Sequence, residues 1–178
     1  MNDLFNYVHI ENVFSKSFCH NAIEKINSLS WNPHTWYTSD RESVDIKDFM
    51  TTYSPELQES MKENIFKFMI SYIHKIGTTF PLHESTEIRF NIYTEGTEML
   101  THVDHIHSIF DGSRKGIPIL SMLGVLNDDY EGGEFILCGK EIKLNSGDAI
   151  IFPSVFLYPH SVNRIKKGTR YSWVLWNF

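Results

Sequence analysis

The chain has 178 residues, a formal net charge of −6, 42% hydrophobic residues and 21% charged residues. This length suits one domain with a single hydrophobic core, and this composition excludes a disordered chain. The net acidic charge and the lack of a long basic run argue against a nucleic-acid partner. The two cysteines form no CxxC pair, so we interpret them as free thiols in a reducing compartment.

The first residues, MNDLFNYVHIENVF, lack the basic start and the long apolar run of a signal peptide. No segment reaches the roughly 18 apolar residues that a membrane-spanning helix requires. We therefore expect a cytoplasmic protein with no membrane partner.

Helical patterns dominate residues 1–84. Apolar residues recur at helical spacing over 17–29. The Ser-Pro pair at 54–55 predicts the N-cap and first position of a second helix, which should end at Gly77. Between these helices, residues 31–50 are polar and aromatic without a clear period, so we expect a long irregular segment there.

Short strands and turns dominate residues 85–178. Ile88, Phe90 and Ile92 alternate along the first of these strands and should share one face. Strand-length segments follow at 117–126, 134–138, 141–144, 160–165 and 170–176. Strands at this spacing predict an antiparallel sandwich or barrel. We expect one α+β domain over 1–178, with a helical support region over 1–84 and a jelly-roll-like core over 85–178.

Four potential metal ligands lie within the segment THVDHIH: His102, Asp104, His105 and His107. Side chains alternate between the two faces of a strand, so His102 and Asp104 share one face and the other two histidines share the opposite face. One site can therefore use the HVD pair or the HIH pair, but not both.

The HVD pair is the better candidate. An HIH pair is typical of cupins when a Glu follows within a few residues, but the next Glu in this chain is Glu131. The HVD pair needs one more ligand from a later strand, and His160 is the only later histidine. Two His and one carboxylate on one face of an octahedron leave positions open for a cosubstrate and O₂, as in non-haem Fe(II) oxygenases. The sequence thus predicts an Fe(II) site of His102, Asp104 and His160.

An organic cosubstrate acid beside this metal would need a cation. Arg170 lies ten residues after His160, across the KKGT turn. We expect two neighbouring strands to bring both side chains to the mouth of one barrel. Arg170 and Ser172 share a face, and Arg offers a bidentate fork to a carboxylate. By the same alternation Trp176 can point inward, whereas Trp173 cannot.

These residues resemble the Fe(II)/2-oxoglutarate-dependent dioxygenases, in particular the prolyl 4-hydroxylase-like branch. The resemblance spans residues 88–178 and is carried by RFNIYTEGTEMLTHVD, LNDDYEGGEF, NSGDAIIFPS and HSVNRIKKGTRYSWVLW. It implies a double-stranded β-helix with flanking N-terminal helices, Fe(II) on the three predicted ligands, and 2-oxoglutarate paired with Arg170. Tyr93 matches the family tyrosine whose hydroxyl contacts the cosubstrate. Ser172 resembles the second half of an Arg-x-Ser pairing.

The resemblance also implies a reaction. Hydroxylation of a C–H bond by O₂ would be coupled to decarboxylation of 2-oxoglutarate, with release of succinate and CO₂. Prolyl residues of a protein or peptide are the leading substrate class, and ascorbate is a further candidate cofactor. Collagen-type members have Lys where this chain has Arg170, which argues against collagen. The alternatives are the same chemistry on a free amino acid, a small metabolite or a modified nucleobase, and a non-catalytic ligand-binding or sensing jelly-roll module.

Candidates for the substrate pocket are Asn91, His105, His107 and Trp176. We interpret His105 and His107 as loop histidines at the rim of the site, not as metal ligands. Residues 105–115 match no motif of the family, and we expect them to form a loop beside the iron where substrate enters.

Overall fold

The computed structural model describes residues 3–37, 43–77, 84–104 and 117–178, with the backbone alone for 35–37 and 43–48. After a 3-10 helix at Leu4–Tyr7, these residues form two α-helices and thirteen strands. In chain order they are β1 (His9–Asn12), α1 (Lys16–Asn27), β2 (Asn32–Tyr37), β3 (Ser43–Tyr53), α2 (Pro55–Ile76), β4 (Arg89–Tyr93), β5 (Met99–His102), β6 (Leu120–Val125), β7 (Glu131–Gly132), β8 (Phe135–Leu137), β9 (Lys140–Ile142), β10 (Asp148–Pro153), β11 (His160–Val162), β12 (Ile165–Lys167) and β13 (Arg170–Asn177).

Both helices begin at serine caps, as their local sequences require. The Ser15 hydroxyl accepts a hydrogen bond from the Phe18 amide, so α1 begins one residue earlier than the apolar stripe indicates. Ser54 caps α2 with Pro55 at its first turn, and α2 ends at Gly77 with φ of 71°. These bounds confirm the second predicted helix, because a left-handed C-terminal residue favours Gly. Among the described residues, no helix combines the length and the apolar composition that crossing a membrane would require.

The strands form two main antiparallel sheets. The large sheet has seven strands in the order β1-β10-β6-β13-β4-β3-β2, and the small sheet has four in the order β5-β11-β8-β9. A two-stranded ribbon pairs β12 with β7. Both α-helices pack on one face of the large sheet around Trp173 and Phe90. The other face packs against the small sheet around Ile150, Phe152 and Leu137. This layering confirms the α+β prediction with its jelly-roll-like core.

The prediction of an irregular segment at residues 31–50 was wrong. The strands β2 and β3 occupy most of it and pair with each other, and β3 also pairs with β4 in the register Phe49↔Tyr93 and Thr51↔Asn91. Phe49, Thr51 and Thr52 are all buried although neighbouring side chains point to opposite faces. A strand that is covered on both faces shows no apolar–polar alternation, so its period is invisible in the sequence. The helical half therefore contributes β1, β2 and β3 to the large sheet.

Candidate metal and cosubstrate site

Two neighbouring strands of the small sheet bring the three predicted metal ligands together. His102 is the last residue of β5, and His160, the first of β11, is its cross-strand partner. Their ring centroids are 4.3 Å apart. Asp104 follows β5 by two residues, with its carboxylate 3.9 Å from His102 Nε2 and 3.7 Å from His160 Nε2. One ligand atom from each residue lies within 4.8 Å of the other two. This separation suits three donors that share one ion.

Backbone carbonyls orient both imidazoles. Nδ1 of His102 lies 2.8 Å from the Leu100 carbonyl oxygen, and Nδ1 of His160 lies 3.1 Å from that of Tyr158. A carbonyl oxygen only accepts, so each Nδ1 carries the proton and each Nε2 presents its lone pair towards Asp104. Burial, aided by the nearby His160, lowers the pKa of His102 to about 4. The neutral imidazole is the form that binds a metal.

Two serines hold the carboxylate: Ser121 on β6 of the large sheet, and Ser154 directly after β10. The Ser121 hydroxyl donates to Asp104 Oδ2 at 2.5 Å and lies 2.5 Å from the Ser154 hydroxyl. Since the proton of Ser121 goes to the carboxylate, Ser154 donates to Ser121. Neither serine was predicted from the sequence. A fixed carboxylate between two oriented imidazoles fits Fe(II), since this donor set leaves coordination positions open.

Arg170 faces this cluster from the other sheet. The prediction placed Arg170 and His160 on neighbouring strands, but β11 belongs to the small sheet and β13 to the large one. The prediction was wrong because the chain crosses between the sheets through β12, which pairs with β7 instead. The two side chains nevertheless line the same cavity, together with His102 and Asp104. They approach it from opposite walls.

The guanidinium of Arg170 is buried, and among the described residues its Nε donor lacks an acceptor. Its side chain is only 2% exposed, and its Nη1 donates to the Ser172 hydroxyl at 3.0 Å. Its Nε has no hydrogen-bond partner in the described part of the chain. A buried cation that lacks a carboxylate is costly unless a ligand supplies one. An organic acid such as 2-oxoglutarate would meet this need.

Tyr93 lies directly across the sheet from Arg170. The two residues are cross-strand partners, and the guanidinium carbon is 5.2 Å from the centre of the tyrosine ring. The ring of Phe49 packs against the Tyr93 ring, with centroids 4.5 Å apart. Burial raises the pKa of Tyr93, although Arg170 partly opposes this change. The hydroxyl therefore stays protonated and can donate a hydrogen bond to an acid held by Arg170.

Comparison with known proteins identifies the family. Residues 88–178 match the sequence pattern described as the 2OG-Fe(II) oxygenase superfamily, which is about half of the chain. The chain belongs to this superfamily. It is an Fe(II)- and 2-oxoglutarate-dependent oxygenase, and the cluster of His102, Asp104 and His160 fits iron binding. The resemblance drawn from the sequence is confirmed.

Two curated relatives of this oxygenase are named PKHD-type hydroxylases. One, from Xylella fastidiosa strain M23, is 25% identical over 193 residues, which cover 95% of this chain and 77% of the relative. The other, from Gluconacetobacter diazotrophicus, is 35% identical over 94 residues, which cover 49% of this chain. That match spans only 40% of the relative's length.

Solved structures similar to this oxygenase include prolyl hydroxylases. A Pseudomonas putida prolyl-4-hydroxylase shares 17% identity at a TM-score of 0.68, over 96% of this chain and 91% of that one. A Trichoplax adhaerens prolyl hydroxylase, in complex with a hypoxia inducible factor peptide fragment, shares 18% identity at a TM-score of 0.70, over 97% of this chain and 84% of that one. At such identities the likeness shows the fold, which is the double-stranded β-helix of 2OG oxygenases.

The remaining predicted residues of the oxygenase fall into two groups. Asn91 and Trp176 line the cavity, which has a volume of about 50 Å³. The Trp173 ring packs instead against Phe14 on the helical side of the sheet, as strand alternation predicts. His105 and His107, with the expected entry loop at 105–115, lie outside the described residues.

Sequence reasoning missed one further cation of the cavity, Arg89. The signal was available, since Arg89, Asn91 and Tyr93 alternate with the apolar residues of the same strand and share the opposite face. The apolar face of β4 does not indicate Arg89, because Arg89 belongs to the opposite face of the strand.

Proposed function

We propose that this oxygenase hydroxylates a C–H bond of a prolyl residue in a protein or peptide. In the proposed reaction 2-oxoglutarate loses CO₂ and becomes succinate. One atom of O₂ enters succinate and the other forms the new hydroxyl group. The observation that carries the proposal is the pairing of two features in one cavity: a three-ligand cluster on one wall and a buried Arg170 with an unpartnered Nε on the opposite wall.

Each residue has a defined role in the proposal. His102, Asp104 and His160 hold Fe(II), which together with 2-oxoglutarate and O₂ supplies the oxidising power. Arg170 binds the distal carboxylate of the cosubstrate, since its fork matches a carboxylate. Ser172 accepts from Nη1 of Arg170 and so fixes the direction of the fork. Tyr93 donates its hydroxyl to the same acid.

The names of similar proteins support the choice of a prolyl substrate. Its curated relatives are named PKHD-type hydroxylases, and its fold is that of prolyl hydroxylases, one of them solved with a peptide fragment. The non-catalytic alternative is not retained, because the chain belongs to an oxygenase superfamily and its ligand cluster has three members.

Product analysis tests the proposal. Protein loaded with Fe(II) is given 2-oxoglutarate, O₂ and a pool of proline-containing peptides, and succinate is measured beside peptide mass. We expect succinate above the rate without peptide and a mass gain of one oxygen atom on proline. The Asp104→Ala variant, which lacks the carboxylate ligand, should yield neither. If succinate rises only with small metabolites or modified nucleobases, the prolyl assignment is wrong; if no pool raises it, the hydroxylase proposal is contradicted.

A further inference from the structure

The floor of the cavity contains two arginines at its opposite ends. Strand β4 directs Arg89, Asn91 and Tyr93 to the same face. Its partner β13 places Arg170 opposite Tyr93 and Val174 opposite Arg89. Arg89 and Tyr93 are four residues apart along an extended strand, a separation of about 13 Å. The cosubstrate anchor therefore lies at one end of the floor, and the second cation lies at the other.

The contacts of Arg89 leave the end of its guanidinium available. Its Nε donates to Asn91 Oδ1 at 3.0 Å, and its central carbon lies 5.0 Å from the centre of the Trp176 ring. Among the described residues no hydrogen bond or salt bridge engages its two Nη groups, although the Asp104 carboxylate acts on the guanidinium electrostatically. The surface residue Arg164, in contrast, forms an ion pair with Glu98 at 2.5 Å. Arg89 is partly buried, and in the described ranges no carboxylate forms an ion pair with it.

The surroundings of Arg89 favour an acceptor ligand for a second reason. The indole Nε1 of Trp176 is buried and has no hydrogen-bond partner within the described segments. The buried indole N–H of Trp176 and the guanidinium of Arg89 thus line the same cavity as the predicted iron ligands His102 and Asp104. Leaving donors unpaired is unfavourable, so such a site gains most from a ligand that brings accepting oxygens.

We infer that Arg89 binds a carboxylate of the organic substrate, so that the substrate of this oxygenase is a carboxylic acid. The inference rests on the proposed function, in which Arg170 is already engaged by the cosubstrate at the other end. Asn91 fixes the direction of the guanidinium, and the Trp176 ring covers it by a cation–π contact. The two Nη groups of Arg89 donate to both carboxylate oxygens, and the target C–H bond then lies between Arg89 and the iron ligands. Such a carboxylate has two sources, a free amino acid and the C-terminal residue of a peptide.

Binding of matched acids and amides tests the inference. The protein is loaded with Zn(II), which accepts the same ligands without turnover, and with 2-oxoglutarate. Ligand-observed NMR then measures the affinity for three pools covering all side chains: free amino acids, N-acetyl amino acids, and N-acetyl amino acid amides. We expect the preferred acid to bind at least about tenfold more tightly than its amide, as a charge-assisted hydrogen bond requires. Preference for the free amino acid indicates a small-molecule substrate, and preference for the N-acetyl acid indicates a peptide C-terminus.

Variants assign this preference to Arg89. Arg89→Gln should weaken acid binding at least about tenfold and leave amide binding unchanged, whereas Arg89→Lys, which keeps the charge, should recover part of it. Arg164→Gln removes an equal charge from the surface and should change nothing. The inference is overturned if no acid binds, if acid and amide bind equally, or if Arg89→Gln retains the preference. It is also overturned if Arg89→Gln weakens 2-oxoglutarate binding instead; unchanged 2-oxoglutarate binding in that variant keeps the proposed function intact.

Discussion

Ser121 is not a predicted iron ligand, but its hydroxyl donates a hydrogen bond to one of them, Asp104. It is fully buried on β6 of the large sheet, whereas Asp104 follows a strand of the small sheet. Its hydroxyl bridges from Ser154 to one oxygen of Asp104 and leaves the other oxygen facing His102. A ligand that is fixed by a partner loses less freedom when the metal binds, and such partners commonly contribute to metal affinity.

The Ser121→Ala variant should therefore bind metal about tenfold more weakly than the wild type. The reason is that Asp104 loses its donor and gains freedom to rotate away from the two imidazoles. Anaerobic titration with Fe(II) measures the change. Ser146→Ala serves as the matched control, because Ser146 is also buried but donates to the Leu126 carbonyl. Equal affinities in Ser121→Ala and the wild type would show that the hydroxyl does not support the ligand.

At the residue scale the sequence contained the ligands but not their supports. His102, Asp104 and His160 follow from alternation along a strand and from the scarcity of later histidines. Arg170 follows from the need for a cation. The contact from Ser121 to Asp104 joins two sheets across 17 positions of the chain, and no local pattern encodes which residues of two sheets will face each other.

The Trp173 ring of β13 lies so close to β6 that a side chain at position 124 would overlap it. Gly124 is the cross-strand partner of Trp173. A Cβ at position 124 would lie 2.5 Å from Trp173 Nε1, well inside van der Waals contact. The Trp173 ring fills the core between the large sheet and the helices. Gly124 therefore determines how the central strands pack against the helical layer.

Gly124→Ala should destabilise the fold by about 1–3 kcal/mol, the usual effect of overpacking a core. Urea unfolding measures the loss. In Gly124→Ala combined with Trp173→Phe, the smaller ring makes room for the methyl group. We expect the double variant to be less destabilised than the sum of the two single changes, since residues in contact are not additive. Strict additivity would contradict the proposed contact.

At the element scale, capping and turn residues predicted the helix bounds better than the apolar–polar pattern predicted the strands. The predicted start of α2 at Ser54 and its end at Gly77 are confirmed because each depends on one residue with a specific backbone role. The strands β2 and β3 were missed because β3 is covered on both faces and so lacks alternation. The separation of His160 from Arg170 into different sheets was missed because the crossing through β12 depends on long-range pairing with β7.

At the scale of the whole molecule, the candidate site lies between the two sheets and needs residues from both. The small sheet supplies His102 and His160, and the large sheet supplies Arg170, Tyr93 and Ser121. The helices α1 and α2 support the large sheet from behind and do not line the cavity. The proposed metal ligands and the proposed cosubstrate residues thus come from separate walls, which predicts that metal binding and cosubstrate binding can be weakened separately by mutation.

An anaerobic titration with Fe(II) and 2-oxoglutarate, followed by visible absorption of their chelate, tests the central claim most directly. We expect an absorption band that saturates at equimolar iron in the wild type and is absent in His102→Ala. We also expect that Arg170→Gln needs at least about tenfold more 2-oxoglutarate to reach the same band, because a charged hydrogen-bonding partner is lost, while Arg164→Gln behaves as the wild type. A folded His102→Ala protein that retains the band would contradict the proposed iron site, and an Arg170→Gln protein with unchanged 2-oxoglutarate affinity would contradict the proposed role of Arg170.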